Sequence, residues 1–211
     1  MKEKERKLTE AELKRKAEFE KLTEELAKEG YQPNHITIGV FAANILAIVA
    51  ALPFIVLLVV AFCAFGHTLE VGRFTFLIAY GAFLLLIVVH ELIHGITWAC
   101  FAKDGWKSIS FGFIKEYLTP YCTCNQPMRK YQMILGSMMP TIVLGFIPGI
   151  VAVMIGSTEL LFIAILMIIG GGGDLLVTFK LLAYKRNGKD VLFIDHPYEL
   201  GTAVFEKPFA K

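Results

Sequence analysis

Four apolar segments, each long enough to cross a bilayer, restrict what this chain can fold into. They run roughly Ile36–Phe65, Phe74–Cys100, Tyr131–Ile155 and Thr158–Leu182. A hydrocarbon core of ~30 Å needs about 20 mainly apolar residues in helical form. Inside hydrocarbon the backbone must satisfy its own hydrogen bonds, so such segments read as helices. Pro53, Pro140 and Pro148 fall within them, and are tolerated where neighbouring groups satisfy the freed carbonyls. Composition agrees. The chain is 55% hydrophobic with a mean hydropathy of +0.58, above the roughly 45–50% apolar share of soluble domains. The expected fold is mainly α: a polytopic membrane protein with four transmembrane helices and a small membrane-proximal β hairpin or sheet.

The basic residues orient these spans. Twenty of the 21 Lys and Arg lie in the N-terminal segment, in the loop between the second and third spans, or in the C-terminal part; Arg73 is the exception. With four spans, those three regions share one side, and the positive-inside tendency makes it cytoplasmic. A three-span or five-span count would spoil the partition. The domain division expected is a charged N-terminal helix over 1–35, a four-span membrane domain over 36–184 and a cytoplasmic tail over 185–211. A multi-pass cell-membrane protein with both termini cytoplasmic follows, and the compact size suits a bacterium. The net charge of +2 gives no support for nucleic-acid binding; bilayer lipid is the evident partner, and oligomeric state is left open.

Residues 1–30 are crowded with Lys and Glu, and lack the apolar stretch of a signal peptide. Leu8, Ala11, Phe19, Leu22 and Leu26 recur near helical spacing, interrupted by Arg15. The segment reads as a helix ending at Gly30, with Pro33 beyond. A solvated helix with a weak apolar seam is the expectation; docking on a membrane or partner is the alternative. Ser108–Ile114 alternates apolar and small residues and, after Lys115-Glu116, Tyr117–Cys124 follows, which reads as a hairpin near the membrane surface. Val191–Ile194 and Thr202–Phe205 read as further short strands. Cys63, Cys100, Cys122 and Cys124 form no disulfide framework. Cys122 and Cys124 lack a second pair to complete a structural zinc site, so a strand or loop role is expected for them.

The second apolar segment ends in Val88-Val89-His90-Glu91-Leu92-Ile93-His94-Gly95. Histidines four apart on a helix lie about 40° apart, stacked one turn over the other. Both imidazoles can then reach one ion. Glu91 lies on the same side but off that line, where a general base for water belongs. A single histidine in a spanning helix is more often a hydrogen-bonded packing residue. Three ionisable groups in five positions, each costly in a bilayer, point to function instead. A hydrolytic zinc site takes three protein ligands and one open position. Asp174 is the acidic residue well inside another span. His90 is 16 residues from Phe74, and Asp174 is 16 from Thr158. At ~1.5 Å per residue both sit about 24 Å along helices running the same way, so Asp174 is the expected third ligand. Four glycines, Gly170–Gly173, precede it and would permit close helix approach. His196 in the tail is expected to order a turn, and His35 and His67 to be interfacial.

These residues resemble a known family. The HELIHG stretch in a spanning helix, then Leu118-Thr119-Pro120-Tyr121-Cys122-Thr123-Cys124-Asn125-Gln126-Pro127-Met128, is similar to the DUF3267 zincin-peptidase family. So are Tyr131–Pro140, Leu144-Gly145-Phe146-Ile147-Pro148, Gly172-Gly173-Asp174-Leu175-Leu176, Asp195-His196-Pro197 and Glu199-Leu200-Gly201. The likeness covers roughly residues 75–205. The family resembles the site-2-type intramembrane metalloproteases in layout. In those relatives the acidic residue is followed by Gly, whereas Leu175 follows Asp174 here. The resemblance implies a membrane-embedded zincin with His90, His94 and Asp174 as Zn2+ ligands and Glu91 as catalytic base. It would hydrolyse peptide bonds of membrane or membrane-proximal proteins with zinc-activated water. The alternative is a non-proteolytic zinc-binding membrane protein: a sensor, a transporter component or an inactive scaffold. Transporters usually show repeated halves, and none is evident here.

Overall fold

The computed structural model describes residues 10–37, 40–114, 119–196 and 201–209. Leu8, the segment Lys115–Leu118, and Pro197, Glu199 and Leu200 of the tail motifs lie outside the described residues. Seven helices and five strands follow in the order α1 (Glu10–Lys28), β1 (Gln32–Thr37), α2 (Val40–Ala64), α3 (Thr75–Ala99), β2 (Ile109–Ile114), β3 (Thr119–Cys124), α4 (Lys130–Thr141), α5 (Ile147–Ile155), α6 (Thr158–Gly170), α7 (Gly172–Ala183), β4 (Lys189–Asp195) and β5 (Gly201–Pro208). The protein is mainly helical with small sheets, and among the described residues three to four helical units are long and apolar enough to cross a membrane.

Three of these units are Ala42–Ala64, Thr75–Ala99 and Lys130–Ile155. The last runs from α4 to α5 through a wider π turn, Ile142–Phe146. Pro148 explains the position of that turn. It lacks an N–H and its ring crowds the carbonyl four residues back, which is Leu144, inside the turn. The fourth apolar segment departs from the single helix read from the sequence. It is two helices, α6 and α7, bent by 52° at Gly171. Close approaches built on glycine fix this bend. A Cβ on Gly171 would collide with the Thr141 hydroxyl, and one on Gly172 would lie 2.6 Å from the Ala47 carbonyl oxygen.

β1, β5 and β4 form an antiparallel sheet in that order, and β2 and β3 form a hairpin. Successive strand residues point to opposite faces, and both faces of the larger sheet are used. Val191, Phe193 and Val204 pack with Trp98, Met133 and Leu181 at the ends of α3, α4 and α7. Ile194, Ala203 and Phe205 pack under Phe19, Leu22 and Leu26 of α1. The apolar seam of α1, expected to be solvated, is therefore seated on the chain's own sheet. Reciprocal backbone hydrogen bonds of 2.8 Å between Met128 and Phe193 tie the end of the hairpin to β4.

Candidate metal centre

The second half of α3 inverts the usual pattern of a soluble helix. Its outward residues Leu85, Val88 and Leu92 are exposed apolar side chains, whereas His90, His94, Gly95 and Trp98 are buried. In a bilayer this is the stable arrangement: lipid solvates the apolar face, and polar groups turn toward the protein interior. The spacing of four residues brings the two imidazoles together, with ring centroids 4.8 Å apart.

Asp174 reaches them from the first turn of α7. The partial positive charge of a helix N-terminus favours a carboxylate there. His90 Nε2 lies 3.1 Å from Asp174 Oδ2, His94 Nε2 lies 3.4 Å from Asp174 Oδ1, and the two Nε2 atoms are 3.2 Å apart. His90, His94 and Asp174 are the only group of three or more potential ligands gathered this way among the described residues.

The donor set fits zinc. Bonds of roughly 2.0–2.1 Å from a tetrahedral centre to His and Asp ligands place neighbouring donors about 3.3 Å apart, close to the three separations above. Proton positions agree. His94 Nδ1 lies 2.8 Å from the Gly136 carbonyl oxygen, which only accepts, so Nδ1 carries the hydrogen. In the neutral ring, Nε2 then presents its lone pair to the cluster. An outer hydrogen bond of this kind is what orients a metal-binding histidine.

Glu91 is half-buried beside the histidines, with its carboxyl near the Cys122 backbone of the hairpin. The hairpin is thus part of the site. A Cβ on Gly95 would come within 2.6 Å of Phe111 Cζ, 3.1 Å of Ile109 Cγ2 and 3.4 Å of Cys122 Sγ. Glycine at position 95 lets β2 and β3 lie directly on the helix that carries the histidines.

Two supporting residues escaped the sequence reading. Trp98 stacks on His94, with centroids 5.1 Å apart and planes inclined by 14°. Gly136 supplies the carbonyl for His94 and leaves room for the Trp98 indole, which any Cβ there would strike. Trp98 was legible as the next i+4 position on the face of His94. Gly136 was not, because its role depends on which face of α4 meets α3.

The remaining sequence candidates lie elsewhere. Cys122 and Cys124 are buried on the hairpin, and burial pushes the Cys124 thiol up to about 11 and Cys122 higher still. Neutral packed thiols suit a strand role. His67 donates from Nε2 to the Val153 carbonyl at 3.0 Å. The backbone N–H of buried His196 donates to Gly201 O across the β4–β5 connection.

The comparison with known families speaks to this geometry. The DUF3267 family model, described as "Putative zincin peptidase", matches residues 83–188. That is 106 of the 211 residues. The chain belongs to this family. The matched region carries the larger part of α3, the hairpin, α4 to α7 and all four residues of the candidate centre; α1, β1, α2, β4 and β5 lie outside it. No curated protein and no solved structure matches the chain.

Proposed function

We propose that the protein is a membrane-embedded zinc metalloendopeptidase in which His90, His94 and Asp174 hold Zn2+ and Glu91 is the general base. The observation that carries this reading is the convergence of three donor atoms from α3 and α7, 3.1 to 3.4 Å apart, beside the half-buried Glu91 carboxylate. When bound, zinc supplies Lewis acidity, polarising a carbonyl and lowering the pKa of water toward ~7. Glu91 takes the proton of the attacking water and delivers it to the leaving amine. A site that only stored metal would gain little from such a carboxylate.

Substrates are membrane or membrane-proximal proteins, presented in extended form because helical peptide bonds are shielded from attack. The β2–β3 hairpin, which lies on the helix bearing the histidines, would pair with such a strand. The distribution of basic residues supports a topology with the hairpin and both termini on the cytoplasmic side of a cell membrane.

Metal analysis of the purified protein, paired with Glu91→Gln, tests this. One zinc per chain is expected in both proteins, with cleavage of a membrane substrate abolished in the variant. Native protein without zinc, or a Glu91→Gln variant that still cleaves, sinks the reading.

A further inference from the structure

The hairpin has two faces. Ile109, Phe111 and Cys122 face α3 at Gly95, and the opposite face is held by α1. Arg15, the charge that interrupts the apolar seam of α1, makes these contacts. Its guanidinium carbon lies 4.4 Å from the Tyr121 ring centroid, and Nη1 donates to Thr123 Oγ1 at 3.5 Å. Tyr121 in turn lies across its strand partner Gly112, where any Cβ would strike the ring. Arg15, Tyr121 and Gly112 form one pile. Arg15 also borders a small cavity between α1, β3 and β4 that includes Asp195, and its charge opposes the rise that burial imposes on the Asp195 carboxyl. The base of the clamp is firm, since Phe19, Leu22 and Leu26 seat α1 on the larger sheet independently of Arg15.

We propose that α1 is a clamp on the β2–β3 hairpin and that Arg15 is its positioning residue, pressing Tyr121 and Thr123 so that the intervening Cys122 stays seated on α3 at Gly95, one turn from Glu91. The catalytic consequence rests on the peptidase reading; the clamp itself does not. α1 lies outside the family match, and through it this chain sets the posture of the hairpin at its candidate site. A guanidinium suits this place better than an ammonium, because one group both covers the Tyr121 ring and donates to Thr123.

Hydrogen exchange on the full-length protein in detergent, read residue by residue, tests the clamp without a substrate. Arg15→Ala is expected to speed exchange of the Cys122 and Thr123 amides by about tenfold, the size of a partly desolvated cation–π contact. Zinc content and the exchange of β4 and β5 amides are expected to stay unchanged. Arg15→Lys should recover the protection only in part. If Arg15→Ala disturbs the fold of α1, Tyr121→Leu removes the same contact from the hairpin side and is expected to give the same local effect. Unchanged hairpin exchange in a folded variant, or equal acceleration across both sheets, overturns the clamp. Absent zinc or retained cleavage in Glu91→Gln would overturn the peptidase reading while leaving this measurement intact.

Discussion

The two arms that form the centre are built in opposite ways. α3 delivers His90, Glu91 and His94 from one unbroken helix of 25 residues, where local geometry alone sets the spacing. The α6–α7 arm delivers Asp174 from the first turn after a 52° bend, and that bend depends on contacts with Thr141 and Ala47 on two other helices. The first arm is local and tolerates changes in its neighbours. The second is tertiary, so disturbance of its packing displaces Asp174.

The largest expected effect contrasts the arms directly. His90→Ala or His94→Ala should weaken zinc binding by more than about 100-fold, beyond the range typical of outer-shell partners. Asp174→Asn keeps an oxygen donor in place but loses the charge, so a smaller loss is expected. Chelator competition on the purified proteins measures both, and zinc affinity unchanged in Asp174→Ala would remove α7 from the centre.

The second test targets the bend. Gly172→Ala must displace the Ala47 carbonyl, and a cost of roughly 1–3 kcal/mol is expected, together with weakened zinc binding. Gly173→Ala meets nothing within 4 Å, so helix propensity should make it neutral or stabilising by up to about 1 kcal/mol. Thermal unfolding with chelator titration separates the two. Equal behaviour would mean that the bend is not what places Asp174.

The smallest effect tests the seal on the α3 arm. The thiolate is the reactive form, and a raised pKa keeps Cys122 and Cys124 protonated until pH climbs past it. With Cys124 near 11, roughly one molecule in a thousand is ionised there at pH ~8. Iodoacetamide at that pH should modify exposed Cys100 and spare both hairpin cysteines. Rapid labelling of Cys122 in the native protein would show that the hairpin does not stay on Gly95.

The same contrast explains how far the sequence could be read. The depth match between His90 and Asp174 pointed to the right partner although it treated 158–182 as one straight helix. The bend falls only a few residues before Asp174, too near to carry it out of reach, and the two side chains meet at 3.1 Å. The seam of α1 was visible, but its destination was not, because a weak amphipathic stripe specifies a face and not what covers it. Arg15 looked like an interruption for the same reason; its meaning comes from Tyr121 and Thr123, more than a hundred residues away.

By itself the sequence determined three long apolar helices, the inward-facing His90 and His94 and the residue types of a candidate metal centre. Hydrocarbon leaves the backbone few choices, and a four-residue spacing on a helix is a local fact. Only the tertiary structure decided that α7 turns Asp174 onto the histidines, that Gly136 and Trp98 orient His94, and that the hairpin lies between Glu91 and α1. Those relations arise where separate elements approach closely, and the shape of the contact surfaces, rather than any local pattern, selects the partner.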